Sequence, residues 1–572
     1  MWLSLFALTK IYFLWVNVGI DRSFFLNFKQ VWWAGLPLDL SMVGYLTVIP
    51  ILGFFLSKIA PYVVNKLLFF YGWFSWLFLI LVMATDPYFF YYWGQKTNLG
   101  FTQFLGQENA GFFSIETQTL IGAFLFFILS IIWFSKKGIR LFKLPERGNI
   151  WAGILLLMLS LIMIRGGLSN VPINISSAYY SDNNALNNAA VNPAWCFLAT
   201  ELERDKHAPL VFFENRDEAE KIFNQRDSEV KDYSSLLQPY DSNTNVVLIV
   251  LESFSAKVVG SISGKKYAST PCLDSIAGMG ISFSRAYASS FRSDKGLLSI
   301  TTGFPSGARQ TLTNFPAELS SKSNIFKLFD NRYLSSFYYG GNLDFANIKV
   351  LFSHANETKS QDDFISTNKN TWGVHDEDVF QTFSDDFMTR QMPQFSMLFS
   401  LSSHEPFDVP NYHKKDDPYL NSISYTDSCL GRMIHRLKKS DKWSNTLVII
   451  TADHGVRRPD NAPIYSEKNF HIQLILTGGV VQKDTTILEI VSQADLPSTL
   501  ANYLNKPSIF QQHSILTPSN SAFYSYHNGI VSVTSDCIQY YDIDQKKYLF
   551  DSCNHPLEKA YFQLGNDDFF NR

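Results

Sequence analysis

Apolar residues crowd the first 165 positions of the chain and then thin out abruptly. Five long apolar stretches lie at about 3–20, 35–57, 67–92, 118–135 and 149–165. Each is long enough to cross a hydrocarbon core of ~30 Å as a helix. A buried core helix explains one such run equally well. Five in succession, flanked by Trp, Tyr and Lys, predict membrane helices. The first begins at the initiator Met and contains Lys10, and no small-residue cleavage site marks it as a signal peptide. The segment "KKGIRLFKLPERG" after the fourth run holds Lys136, Lys137, Arg140, Lys143 and Arg147, and the loop after the second holds Lys58 and Lys66. The loop after the third has Lys96 beside Glu108 and Glu116. The positive-inside rule then puts loops two and four in the cytoplasm and everything after Arg165 outside it. Asp39 falls inside the second run, where a carboxylate needs either a partner within the bundle or a headgroup contact.

From 166 to about 243 the pattern turns polar. "YSDNNALNNAAVNPAW" is too rich in Asn for a core element, and "NRDEAEKIFNQRDSEVKDYSS" reads as an exposed helix followed by a loop. The expected organisation is a transmembrane domain at 1–165, a linker at 166–242 and a globular domain at 243–572.

In the last part, short continuous apolar runs alternate with helical patterns. "NVVLIVLES" ends in Glu252, "QFSMLFSLSSHEPF" runs out to His404, and "TLVIITADHG" ends in Asp453 and His454. Such runs are typical of strands buried on both faces. Alternation with helices predicts an α/β domain with a mainly parallel sheet, in which ligands bind beyond the carboxyl ends of the strands. Three strands would then deliver a carboxylate, an Asp-His pair and a His to one edge.

"ASSFRSDKGLLSITTG" adds a nucleophile. Ser293 falls at the start of a short helix that stops at Gly303, where free N–H groups and the helix dipole favour a phosphate. An N-capping role explains the serine equally well when it is taken alone. Glu252, Asp453 and His454 form a mixed oxygen and nitrogen set suited to Mn²⁺, Zn²⁺ or Mg²⁺. A metal shared with Ser293 would lower its pKa and make it a nucleophile. Arg292 and Lys295 flank it and could stabilise charge on the transferred group.

The composition narrows the classes further. The 572 residues carry a formal net charge of −3, which gives no nucleic-acid signature. None of the five Cys forms a CxxC or zinc-type cluster. Cys537 and Cys553 are close enough in sequence to form a disulfide in an oxidising compartment or to remain free thiols.

The ordered motifs "VLIVLESFSA", "SFRSDKGLLSITTGFPS", "FYYGGNLDFAN", "WGVHDEDVF", "SLSSHEPF" and "TADHG" resemble the lipoteichoic acid synthase and phosphoglycerol transferase family of the alkaline phosphatase/sulfatase superfamily. The resemblance covers nearly the whole chain. It implies a five-helix membrane domain followed by a sulfatase-like α/β domain outside the bacterial cytoplasmic (inner) membrane, on its periplasmic or extracellular side. Carried over residue by residue, it implies a metal site of Glu252, Ser293, Asp453 and His454, with Mn²⁺ favoured over Zn²⁺ or Mg²⁺. Ser293 would be the nucleophile where the family generally has Thr. His404 matches a substrate-contacting His, and Asn342, Asp344 and Asn347 fall in the stretch lining the headgroup pocket. In "NFHIQLILTGG", Gln473 stands where the family usually has Pro, and His471 is either structural or in the site.

The implied activity is transfer of a phosphoglycerol headgroup, with phosphatidylglycerol as donor, through a covalent Ser intermediate to an envelope glycan or lipid acceptor. A phosphoethanolamine transferase shares this chemistry. A sulfatase or phosphodiester hydrolase shares the fold, but Ser293 is followed by Asp-Lys-Gly rather than by the C/S-x-P-x-R pattern that sulfatases mature. A receptor with a decayed site would not retain the full ligand set.

Overall fold

The computed structural model describes residues 2–93, 96–97, 124, 126–128, 130–132, 134, 149–169, 171–181, 183–203, 210–224, 231–308, 311–460, 462–507, 513–526, 529–543, 545–553 and 555–570. It divides into one unit of Met1–Lys206 with Phe315–Ser321, and another of His207–Asn314 with Lys322–Arg572.

In the first unit, helices α1 (Trp2–Asn17), α2 (Phe24–Leu56), α3 (Pro61–Trp93) and α4 (Ile150–Arg165) occupy four of the five apolar runs. Two of them, α2 and α3, are long and apolar enough to cross a membrane. Most of the run at 118–135, the basic loop 136–147, Glu108 and Glu116 lie outside the described residues. Many large apolar side chains of α2, α3 and α4 face outward, among them Phe25, Trp33, Phe74, Trp151 and Leu155. So large an outward-facing apolar surface is compatible with membrane anchoring.

Asp39 has its partner inside the unit. Its carboxylate lies 3.3 Å from Lys10 Nζ and accepts a 2.8 Å bond from Asn192 Nδ2, all three side chains being buried. A second buried pair joins Lys96 to Asp86 at 2.7 Å. The Asn-rich stretch departs from expectation. It forms α5 (Asn184–Ala190) and α6 (Pro193–Glu203), and Asn187, Asn188 and Asn192 are almost fully buried. These amides are tolerated because they are used. Asn187 Oδ1 accepts from Tyr180 and Ser181 N–H, while Asn192 Oδ1 accepts from Trp195 N–H. The carbonyls of Asn188, Ala190 and Val191 accept from the two buried lysines. Composition alone misreads the stretch, because a buried amide such as that of Asn187 or Asn192 costs little where it is hydrogen-bonded.

The second unit is built on an eight-stranded sheet in the order β10-β2-β9-β8-β1-β7-β3-β4. Its strands are β1 (Asn245–Leu251), β2 (Ile281–Tyr287), β3 (Leu334–Tyr339), β4 (Glu357–Lys359), β7 (Gln394–Phe399), β8 (Thr446–Ala452), β9 (His471–Thr477) and β10 (Thr485–Ser492). All pairings are parallel except the two made by β9. A hairpin of β5 (Lys369–Asn370) and β6 (Gly373–Val374) stands apart, and β11 (Ser521–Tyr526), β12 (Gly529–Thr534), β13 (Ile538–Asp542) and β14 (Lys547–Asp551) form an antiparallel sheet. Every residue of β1, β7 and β8 is buried, which is why these strands read as unbroken apolar runs. Cys537 and Cys553 are joined in a disulfide that closes the β13–β14 hairpin.

Candidate active site

Register assembles the site. In the β1–β8 ladder Leu251 pairs with Ala452, so the next residues, Glu252 and Asp453, leave the sheet side by side. His454 follows, and its Nε2 lies 3.5 Å from Glu252 Oε1 and 3.3 Å from Asp453 Oδ2. His454 Nδ1 donates to the Gly455 carbonyl at 3.0 Å, which leaves Nε2 as the ligating nitrogen. Among the described residues, these three form the cluster whose ligand atoms converge within 4.8 Å.

Helix α7 (Ser293–Thr302) brings the hydroxyl. Arg292 occupies the N-cap in extended conformation, and no side chain caps the helix. Ser293 is therefore the first helical residue rather than the cap. Its Oγ donates to Glu252 Oε2 at 3.0 Å and lies 3.4 Å from His454 Nε2. The approach is close because of Gly296, where a Cβ would meet the Asp453 carbonyl oxygen at 2.0 Å. Only a glycine lets the first turn of α7 press against the end of β8.

These residues fit a divalent cation. Glu252 and Asp453 are buried together, and Asp453 Oδ2 has no hydrogen-bond partner. Burial and the neighbouring Glu252 carboxylate hold the Asp453 carboxyl well above its ordinary range. Burial opposes charge on His454, yet Asp453 and Glu252 raise its imidazole to about 10. Burial also opposes charge on Glu252, but His454 beside it keeps its carboxyl below the ordinary range. Two buried carboxylates thus demand positive charge, and three oxygens with one imidazole are a donor set for Mn²⁺, Zn²⁺ or Mg²⁺.

The remaining candidates are distributed around this centre. His404 follows β7 on a loop anchored to Glu252, whose N–H donates to Ser400 Oγ at 2.8 Å and whose carbonyl accepts from Ser403 Oγ at 2.6 Å. Arg292 is half-exposed and bonded to Asp294 at 3.0 Å. Lys295 is buried and turns to the carbonyls of Gly307 and Ala308, so two of its three donors hold the 307–308 loop rather than facing Ser293. Burial lowers its ammonium to about 8. Asn342, Asp344 and Asn347 shape their own turn. Asn342 Oδ1 accepts from Asp344 N–H at 2.8 Å, Asp344 lies 3.9 Å from Lys349, and Asn347 Nδ2 donates to Asn314 at 3.3 Å. His471 is structural, for its Nε2 donates to the Ser284 carbonyl at 2.8 Å and its ring stacks on Tyr287.

Sequence reasoning missed Ser253. It adopts φ 59°, donates from Oγ to Glu252 Oε1 at 2.6 Å and from N–H to Asp453 Oδ1 at 2.8 Å. A left-handed serine bonded to both carboxylates is backbone strain at the candidate site. It stands inside a quoted motif, but nothing in the strand pattern signals its backbone conformation.

The sulfatase family model matches residues 244–506. The chain is 22% identical over 331 residues to the lipoteichoic acid synthase-like YvgJ of Bacillus subtilis, covering 51% of this chain and 53% of that protein. It is 23% identical over 270 residues to the lipoteichoic acid synthase of Staphylococcus saprophyticus, covering 42% and 40%. It thus spans about half the length, or less, of these curated relatives. A Vibrio parahaemolyticus protein of the alkaline phosphatase superfamily superposes with a TM-score of 0.55 at 24% identity, over 63% of this chain and 97% of that one. The lipoteichoic acid synthase LtaP of Listeria monocytogenes gives 0.50 at 17% identity, over 62% and 98%. At these identities the two structures establish the fold alone. Residues 244–506 are accordingly similar to the sulfatase family, and the α/β part of the chain shares the fold of the Vibrio parahaemolyticus protein.

Proposed function

We propose that the chain is a membrane-anchored, metal-dependent phosphoglycerol transferase of the lipoteichoic acid synthase type. The observation that carries this reading is the Ser293 hydroxyl. It sits at an uncapped helix start, 3.0 Å from Glu252 and 3.4 Å from His454. The relatives named lipoteichoic acid synthase support an enzyme of this type. The outward-facing apolar side chains of α2 to α4 support the anchor, and the Cys537–Cys553 disulfide supports an oxidising compartment for the α/β domain. The topology we favour has five spans within 1–165, a connecting segment 166–242 whose first part packs with the helices, and the catalytic domain 243–572 on the periplasmic or extracellular side of the bacterial cytoplasmic membrane.

Glu252, Ser293, Asp453 and His454 would hold the cation, with Mn²⁺ the favoured ion. When bound, it supplies positive charge that lowers the pKa of the hydroxyl and offsets charge on the phosphoryl oxygens. The Ser293 oxygen attacks the phosphorus of phosphatidylglycerol. A Ser–O–P bond forms, the P–O bond to diacylglycerol breaks, and the serine proton ends on the departing diacylglycerol hydroxyl. The N–H groups at the start of α7 would receive the phosphoryl oxygens, and Arg292 would stabilise charge on the same group. An acceptor hydroxyl from an envelope glycan or lipid then attacks phosphorus, and its proton returns to Ser293. His404 would carry the proton at the leaving and entering oxygens. The turn bearing Asn342, Asp344 and Asn347 borders the headgroup.

Mass spectrometry of the Mn²⁺-loaded full-length protein after incubation with phosphatidylglycerol vesicles tests the reading. A phosphoglycerol adduct on Ser293 is expected. Ser293→Ala should abolish release of diacylglycerol, and Ser293→Thr should retain it. An active Ser293→Ala enzyme would overturn the mechanism. An adduct formed only with phosphatidylethanolamine would reassign the headgroup.

A further inference from the structure

"WGVHDEDVF" is a motif to which the mechanism above gives no task, and its first residue lies against the proposed proton carrier. The Trp372 and His404 rings are 4.2 Å apart between centroids. Trp372 Nε1 donates to the Glu405 carbonyl at 2.8 Å, and His404 Nδ1 meets the same oxygen at 2.8 Å. A carbonyl can only accept, so His404 Nδ1 carries a proton and its other nitrogen, Nε2, is left for substrate. One oxygen thus ties the indole and the imidazole together. Phe345, in the turn bearing Asn342, Asp344 and Asn347, meets the indole edge-on at 5.5 Å.

The indole stands on a rigid support. It sits at the tip of the β5–β6 hairpin, where Asn370 Oδ1 accepts from the N–H groups of Trp372 and Gly373 at 2.9 and 3.1 Å. Gly373 has φ 142°, and a Cβ there would meet the Gly340 carbonyl oxygen at 2.0 Å. Val374 N–H donates to that oxygen at 2.8 Å, which pins the hairpin to the end of β3. Two residues on, the buried Asp376 opens α8 (Asp376–Thr389). Its carboxylate accepts from Leu401 N–H at 2.7 Å, from Ser402 N–H at 3.2 Å and from Thr426 Oγ1 at 2.6 Å. The segment 372–376 therefore grips the 400–405 loop at both ends, through Asp376 near its start and through Trp372 at His404 and Glu405.

We propose that Trp372 is a positioning residue of the transfer reaction. It fixes the ring plane and the Nδ1–H tautomer of His404, so that Nε2 is presented to the oxygen that leaves or enters at phosphorus. This rests on the reading that His404 carries that proton. Small misplacements of a reacting group cost on the order of 100-fold in rate. Trp372→Ala should therefore lower kcat on phosphatidylglycerol vesicles by about 10- to 100-fold with little change in KM. Trp372→Phe keeps an aromatic ring against the imidazole but loses the N–H, and should fall between the two.

The test is a double-mutant cycle in the Mn²⁺-loaded full-length protein, with His404→Gln as the second change. Thermal midpoints and Mn²⁺ content serve as controls for folding. A positioning role through His404 predicts that Trp372→Ala adds almost nothing in the His404→Gln background. Nitrogen NMR of ring-labelled histidines, with the His404 signal assigned by its loss in His404→Gln, gives a readout independent of turnover. The wild type should show the Nδ1–H tautomer, and Trp372→Ala a mixture. Full additivity, or an unchanged tautomer, overturns the role of Trp372. A His404→Gln enzyme of normal rate instead overturns the reading of His404 itself.

Discussion

The Ser293 hydroxyl has two neighbours that explain its chemistry, a carboxylate oxygen and an imidazole nitrogen, and it caps nothing. Around it, Ser253 holds both carboxylates from one strained position, with its hydroxyl on Glu252 and its N–H on Asp453. Asp453 Oδ2, buried and without a hydrogen-bond partner, is a candidate ligand oxygen. Substituting Glu252, Asp453 or His454 by Ala should each remove most bound Mn²⁺ and most activity, since each supplies a ligand atom. Loss of a group that only orients a ligand costs about 10- to 100-fold. Ser253→Ala belongs to that milder class. Metal content by mass spectrometry of the purified protein checks both, and a variant that keeps full occupancy leaves the ligand list.

Elements reach the site by close packing at small residues. Helix α7 touches β8 through Gly296, with the Asp453 carbonyl where a side chain would be. Gly296→Ala should push the start of α7 away from Glu252 and lower activity by at least about tenfold, with a loss of roughly 1–3 kcal/mol in stability from overpacking. Turnover and thermal midpoint measured together check this. A variant with wild-type rate would show that the approach of α7 is not what aims Ser293. The same packing logic operates in the first unit, where a Cβ on Gly35 of α2 would meet the Ala190 carbonyl at 2.1 Å. That carbonyl also accepts from Lys10, so the Asn-rich segment is bolted to the helices by charge and by close approach.

At the scale of the whole molecule, a carboxyl buried outside the candidate site contributes to how stability follows pH. Glu558, in the helix Leu557–Phe570, is buried and accepts from Tyr548 at 2.8 Å and Ser532 at 3.3 Å. Burial pushes its carboxyl up to about 7. An unfolded chain would release this proton near ~4.3. Between these values the folded state binds more protons, so stability falls as pH rises from about 4.3 to about 7. Glu558→Gln should remove that slope, leaving the thermal midpoint near wild type at pH 5 and above it at pH 8. An unchanged slope in the variant would assign the pH dependence to another group. The Cys537–Cys553 bridge closes a hairpin in the same region.

The sequence by itself determined the buried strands, the motifs that end them and the apolar helices, because each is a local pattern. An unbroken apolar run suits a strand covered on both faces, and a long apolar run suits lipid. It also singled out Glu252, Ser293, Asp453 and His454, whose motifs sit where strands end and a helix begins and whose side chains lie within 3.5 Å of a neighbour in the set. Only the tertiary structure decided the rest. The partnership of Lys10 with Asp39 spans 29 positions, and the buried Asn192 amide bonds to the same carboxylate from 153 positions away. The grip of Trp372 on His404 crosses from one loop to another. The turning of Lys295 toward Gly307 and Ala308 depends on how the loop after α7 folds back. A side chain's direction and its hydrogen-bond partners are set by residues distant in the chain, and no local periodicity encodes them.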